Sequence, residues 1–111
     1  MEQWQSVCRK DDLVKNTGVC ALVAGQQVAI FYSERNDALY AVGNYDPIGG
    51  ANVISRGMIG SLGEEVVVAS PLYKQHFNLT TGQCLEDPEM ALSTYPVRCI
   101  DGDVQLSMND V

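Results

Sequence analysis

Five residues of this 111-residue chain have the widest chemical reach: one histidine, His76, and four cysteines, Cys8, Cys20, Cys84 and Cys99. A nucleophile–histidine–carboxylate triad or a multi-histidine metal site is hard to build from a single imidazole. His76 precedes Phe77 in a strand-like run, which suits a surface or internally satisfied side chain. The cysteines are widely spaced and include no Cys-x-x-Cys, so zinc-ribbon and thioredoxin-like chemistry lack their signature. Cys99 is in phase with Tyr95 and Val97, and Cys8 with Trp4, so the thiols are expected to be reduced and buried in a core. The acidic pairs Asp11-Asp12 and Glu64-Glu65 sit beside turns and read as solvated loops. Gly49-Gly50 and Gly57 to Gly63 do not follow a strand and open a helix, as a phosphate-binding loop would, and are expected in turns.

The elements that hold these residues carry a period of two. Val28, Ile30 and Tyr32 alternate with Gln27, Ala29 and Phe31; Leu39 and Ala41 alternate with Tyr40 and Val42; Val104, Leu106 and Met108 alternate with Asp103, Gln105 and Ser107. Val66 to Ala69 is continuously apolar, as in a strand covered on both faces. Turn-forming residues separate the runs at Asn16-Thr17-Gly18, Ala24-Gly25, Glu34 to Asp37, Pro47 to Gly50, Leu62-Gly63, Thr81-Gly82 and Asp101-Gly102. Short strands at this spacing predict an all-β sandwich or barrel, with at most a short turn at Asp11 to Lys15. Residues 1–111 are expected to form one domain, a length that buries roughly two-thirds of the unfolded chain's surface.

Seven basic against fourteen acidic residues give a net charge of −7, which argues against nucleic acid and against anionic membrane surfaces. The start, Met1-Glu2-Gln3-Trp4, lacks the basic and apolar segments of a signal peptide, and no apolar run is long enough to span a bilayer. A cytoplasmic location is expected.

Two segments are more specific. Ala38-Leu39-Tyr40-Ala41-Val42-Gly43-Asn44-Tyr45-Asp46-Pro47 continues through Ser55-Arg56-Gly57-Met58-Ile59-Gly60. Val66-Val67-Val68-Ala69-Ser70-Pro71-Leu72-Tyr73 runs into Phe77-Asn78-Leu79-Thr80-Thr81-Gly82. Together they resemble the cluster-binding hairpins of the Rieske family, in which one strand leads into Cys-x-His and a later one into Cys-Pro-x-His, followed by Phe-Asp-x-x-Thr-Gly. Leu92 to Arg98 and Gly102 to Leu106 resemble that family's closing strands. The resemblance implies a Rieske-like antiparallel β-sandwich or barrel with two loop-bearing hairpins at one end.

The departure from the family pattern is as informative. A Rieske cluster needs two thiolates on one iron and two imidazoles on the other. Asn44 and Asp46 stand at the first Cys and His positions, Ser70 and Tyr73 at the second pair, and residues 21–75 contain no Cys or His. No catalytic, cofactor-binding or metal-ligating residue is therefore assigned to this chain.

A ligandless Rieske-like domain of this size is similar to the small-subunit family of NAD(P)H-dependent assimilatory nitrite reductases, a likeness carried by Ser70 to Lys74 and Leu79 to Gly82. That resemblance implies a non-redox accessory role beside a large catalytic subunit holding FAD, sirohaem and an iron–sulfur cluster. It also makes Asn44, Tyr45, Asp46, Ser70 and Tyr73 a candidate docking tip, flanked by Arg56 and Lys74. An electron carrier of Rieske-ferredoxin type with atypical ligands, and a stand-alone protein-binding module, are the competing functions.

Overall fold

A computed structural model describes residues 4–72 and 74–107; Tyr73 and Met108 lie outside them. The described residues form twelve strands and two single-turn 3-10 helices. The strands are β1 (Trp4–Arg9), β2 (Gly18–Val23), β3 (Gln26–Ser33), β4 (Ala38–Gly43), β5 (Tyr45–Asp46), β6 (Ala51–Asn52), β7 (Met58–Leu62), β8 (Glu65–Ala69), β9 (His76–Asn78), β10 (Thr94–Tyr95), β11 (Val97–Ile100) and β12 (Asp103–Ser107). The helical turns are Lys10–Asp12 and Ile54–Arg56. At the first, the Asp12 carboxylate accepts from the Arg9 amide at 3.1 Å, so a short turn does form, but over Lys10–Asp12 and closed by Asp12 alone.

Every strand pairing is antiparallel. One sheet has the order β1-β12-β11, a second β10-β4-β3-β2 and a third β7-β8-β9; β5 and β6 make a separate two-stranded ribbon. The all-β reading holds, and the alternation within β3 acquires a physical meaning. Ala29 and Phe31 point into a core shared with Ile54, Val68, Phe77 and Leu79 of the third sheet and its loops. Val28 and Ile30 point into a second core with Val104 and Leu106 of the first sheet. The second sheet is thus the wall between two cores, and period two in β3 separates one apolar environment from another rather than core from water.

Turn chemistry sets the register. Ala24 and Gly25 connect β2 to β3 with φ of 51° and 79°, the two positive values that a two-residue turn needs to match the twist of its strands. The chain crosses from the second sheet to the first at Pro96, between β10 and β11, where a proline costs no ladder hydrogen bond. The Tyr95 hydroxyl anchors that crossing by donating to Gln26 Oε1 at 3.0 Å.

The run from Phe77 to Gly82 closes the third sheet. Asn78 Oδ1 accepts from the amides of Thr80 and Thr81 at 2.8 and 3.1 Å, which turns the chain. Asn78 is buried, so Asn78-Leu79-Thr80 matches a glycosylation sequence without presenting its amide to solvent. Gly82 has a φ of +83°, and a Cβ there would lie 2.1 Å from the Leu92 carbonyl oxygen. Only glycine satisfies both constraints.

Candidate functional site: the two former-ligand loops

The first loop leaves β4 at Gly43 and runs through the β5–β6 ribbon; the second leaves β8 at Ala69. They meet at one end of the molecule, as the hairpin pattern implies. The four former-ligand positions and Tyr45 were expected to make an exposed tip, and there the structure requires a correction. Asn44, Asp46 and Ser70 are all buried, and only Tyr45, at 53% exposure, faces solvent among the described tip residues. Tyr73 lies outside the described residues.

Burial of three polar side chains demands partners, and each has them. Asn44 Nδ2 donates to Gln27 Oε1 at 3.0 Å and to Cys20 Sγ at 3.5 Å, while its Oδ1 accepts from the Ser55 amide at 2.7 Å. Its backbone is tied as well, with the amide on the Gln27 carbonyl and the carbonyl accepting from Ile54. Asn44 therefore clamps β3, the first loop and the Ile54–Arg56 turn together.

Asp46 joins the two loops. Its Oδ1 accepts from the amides of Ile48 and Gly49 at 2.8 and 3.0 Å, fixing the turn of its own loop. Its Oδ2 accepts from the Ser70 hydroxyl at 2.5 Å, across to the second loop. Ser70 Oγ in turn accepts from the Leu72 amide at 3.3 Å. Gly49 lies against Leu72 so closely that a Cβ would come within 2.4 Å of Leu72 Cδ1. The two loops are thus joined by a carboxylate–hydroxyl bond and an apolar contact.

These residues do not fit a Rieske cluster. Soft thiolate ligands hold such clusters, and this site offers an amide, a carboxylate and a hydroxyl. All three are occupied by internal hydrogen bonds. Among the described residues, no group of three or more His, Cys, Asp or Glu side chains is arranged to hold a metal ion.

The remaining candidates lie elsewhere. His76 Nδ1 is 2.6 Å from Glu86 Oε2, and the His76 amide donates to Glu86 Oε1 at 2.7 Å. Partial desolvation pushes the Glu86 carboxyl up, but the bonds from the His76 amide and ring outweigh it and leave the group below its ordinary value. His76 is thus internally satisfied, as expected. The thiols divide three ways, which corrects the expectation of four core cysteines. Cys84 is buried, Cys8 and Cys99 are half-buried, and Cys20 is exposed because β2 is the outer strand of its sheet. Burial, with Asp12 and Asp103 nearby, raises the pKa of Cys8. All four are free thiols.

Two features escaped the sequence reading. Gln27, the partner of Asn44, sits seventeen residues away and becomes its neighbour only through the β3–β4 register. Met58, within one of the family-like segments, is a large apolar side chain left 77% exposed at the start of β7.

Comparison with known proteins follows the same line as the geometry. Residues 3–107 match the family described as Rieske-like [2Fe-2S] domain. The nitrite reductase (NADH) small subunit of Salmonella typhimurium is 48% identical over 106 residues, which cover 96% of this chain and 98% of that one. The NMR structure of the E. coli protein NirD superposes with a TM-score of 0.89 at 44% identity, covering 98% of this chain and 99% of that chain. A nitrite reductase [NAD(P)H] large subunit from Klebsiella oxytoca is 38% identical over 101 residues, 91% of this chain but 10% of the larger protein, so in that protein a similar domain is part of the large polypeptide. None of the described helices is long and apolar enough to cross a membrane. With its whole described fold, its two altered loops and nearly its entire length accounted for, the chain belongs to the Rieske-like domain family and, within it, to the small subunits of NADH nitrite reductase.

Proposed function

We propose that this chain is the non-redox accessory subunit of an NAD(P)H-dependent nitrite reductase, supporting the reduction of nitrite to ammonia by a large cytoplasmic subunit. In this reading the FAD, sirohaem and iron–sulfur cluster reside on that large subunit and none on this chain. One observation carries the non-redox part: three of the four former-ligand positions are buried side chains engaged in internal hydrogen bonds, one of which, Ser70 to Asp46, joins the two loops. A Rieske-type electron carrier would need those positions free for iron. The large subunit as partner is supported by the Klebsiella oxytoca protein, where a similar domain and the large subunit share one polypeptide. That tether favours the accessory role over a stand-alone binding module. In this reading Tyr45, exposed at the loop end, is a tip residue that touches the partner.

The test is anaerobic purification of the chain, followed by its visible spectrum, its iron content and its retention of the large subunit from the same cells. A colourless, iron-free protein that retains a flavin- and sirohaem-containing large subunit is the expected result. Stoichiometric iron with visible absorption would restore the electron carrier, and failure to retain the large subunit would remove the accessory role.

A further inference from the structure

Beside the loop end lies a groove of about 260 Å³ between the start of β7 and the loop after β8, lined by Arg56, Met58, Ala69, Pro71 and Lys74 among others. Met58 is the most exposed large apolar residue described, at 77%, and Leu72 continues the apolar surface toward the tip at 43%.

The charges are also segregated. The chain has seven cationic side chains: Arg9, Lys10, Lys15, Arg35, Arg56, Lys74 and Arg98. Lys10 pairs with Asp37 and Lys15 with Glu34; Arg9 donates to the Asp101 carbonyl, and Arg98 lies over Trp4 and donates to Gln105. Among the described residues, Arg35, Arg56 and Lys74 have no such side-chain or carbonyl partner, and two of these three line the groove. None of the described carboxylates in this acidic chain does.

An apolar slot lined by two cations, on a protein of net charge −7, specifies its occupant by complementarity. Its volume falls below the roughly 300–1,000 Å³ typical of small-molecule sites, which suits a single side chain better than a coenzyme. We infer that this groove is the anchor of the small subunit on its large subunit, receiving an apolar side chain of the partner that is flanked by carboxylates. The inference rests on the accessory-subunit reading and deepens it: the contact is centred on Met58, Arg56 and Lys74.

The test measures the affinity of the purified large subunit for immobilised wild-type and variant small subunits, at low and at high salt. Met58→Asp weakens binding about 30-fold or more, as expected for a buried central contact. The double variant R56E/K74E weakens it about tenfold or more at low salt and flattens its salt dependence, because two screened attractions are reversed. Leu22→Asp, at an apolar residue of 75% exposure on β2 that does not line the groove, stays within about twofold of wild type. Thermal melts of each variant separate a lost contact from a lost fold, since all the substituted side chains face solvent. If the wild-type chain binds and the groove variants bind equally well, the groove is not the anchor while the accessory role stands. A loss at Leu22→Asp equal to that at Met58→Asp overturns the groove in the same way. If the wild-type chain does not bind the large subunit, the accessory reading itself fails and the inference falls with it.

Discussion

The Asp46–Ser70 bond joins the two loops, and double-mutant analysis measures its strength directly. Asp46→Ala removes the acceptor for three buried or part-buried donors, the Ile48 and Gly49 amides and the Ser70 hydroxyl. Hydrogen bonds to a charged group contribute about 1.5–3 kcal/mol each, and partial entry of water into the space left by the side chain lowers the sum, so the loss is about 3–5 kcal/mol. With a urea slope near ~1.5 kcal/mol/M the unfolding midpoint falls by about 2–3 M. Ser70→Ala removes one of the three bonds, leaves Asp46 its two amides, and costs about 1.5–3 kcal/mol. Once Asp46 is gone, Ser70 has already lost its acceptor, so the double variant is more stable than the sum of the two losses predicts by about 1–2 kcal/mol. Equilibrium urea unfolding of the four proteins, followed by circular dichroism, closes this cycle. Additivity within about 0.5 kcal/mol would refute the reasoning, because it would mean that the two loops are held together by something other than this bond.

Other substitutions probe the rest of the structure. Gly82→Ala is expected to destabilise the domain by about 3 kcal/mol or more, since the new Cβ meets the Leu92 carbonyl oxygen in a left-handed backbone; a melting temperature within a few degrees of wild type would contradict that contact. Native-state thiol labelling followed by mass spectrometry should modify Cys20 first and Cys8 more slowly, because Cys8 is half-buried with a raised thiol pKa; buried Cys84 should react only on unfolding. Glu86 has a lowered pKa in the folded state, so it binds a proton more weakly than in the unfolded chain. Its stabilising contribution is therefore present above the ordinary glutamate value of 4.5 and is lost as pH falls through the lowered folded value. Glu86→Gln should flatten the acid limb of the stability–pH curve, and an unchanged limb would remove Glu86 from the account.

The sequence revealed most of what is local. Turn residues at Ala24-Gly25 and Asp101-Gly102 placed the hairpins, because positive φ is costly for most side chains and leaves a signature in residue choice. The family-like segments placed the two loops together, and Asn44, Asp46 and Ser70 do meet there. What stayed hidden was the direction in which those side chains point. Asn44 and Asp46 lie two residues apart and so share a face of an extended chain, but whether that face meets water or protein depends on Gln27 and Ser70, which arrive from other strands. The same limit explains Cys20. Its alternation is ordinary, but its exposure follows from β2 being the outer strand of its sheet, a property of topology rather than of spacing. Period two likewise could not show that β3 has a core on each side, since both sets of side chains are apolar.

That shared wall has a consequence for how the molecule comes apart. Val28 and Ile30 serve one core, Ala29 and Phe31 the other, and all four are completely shielded. Neither core can be opened along β3 without disturbing residues that alternate, one by one, with those of its neighbour. The backbone amides in the middle of β3, which are hydrogen-bonded to β2 on one side and β4 on the other, should therefore exchange with deuterium at the rate set by global opening. The outer sheets can fray at their edges, but the two halves of the domain lose their tertiary order together.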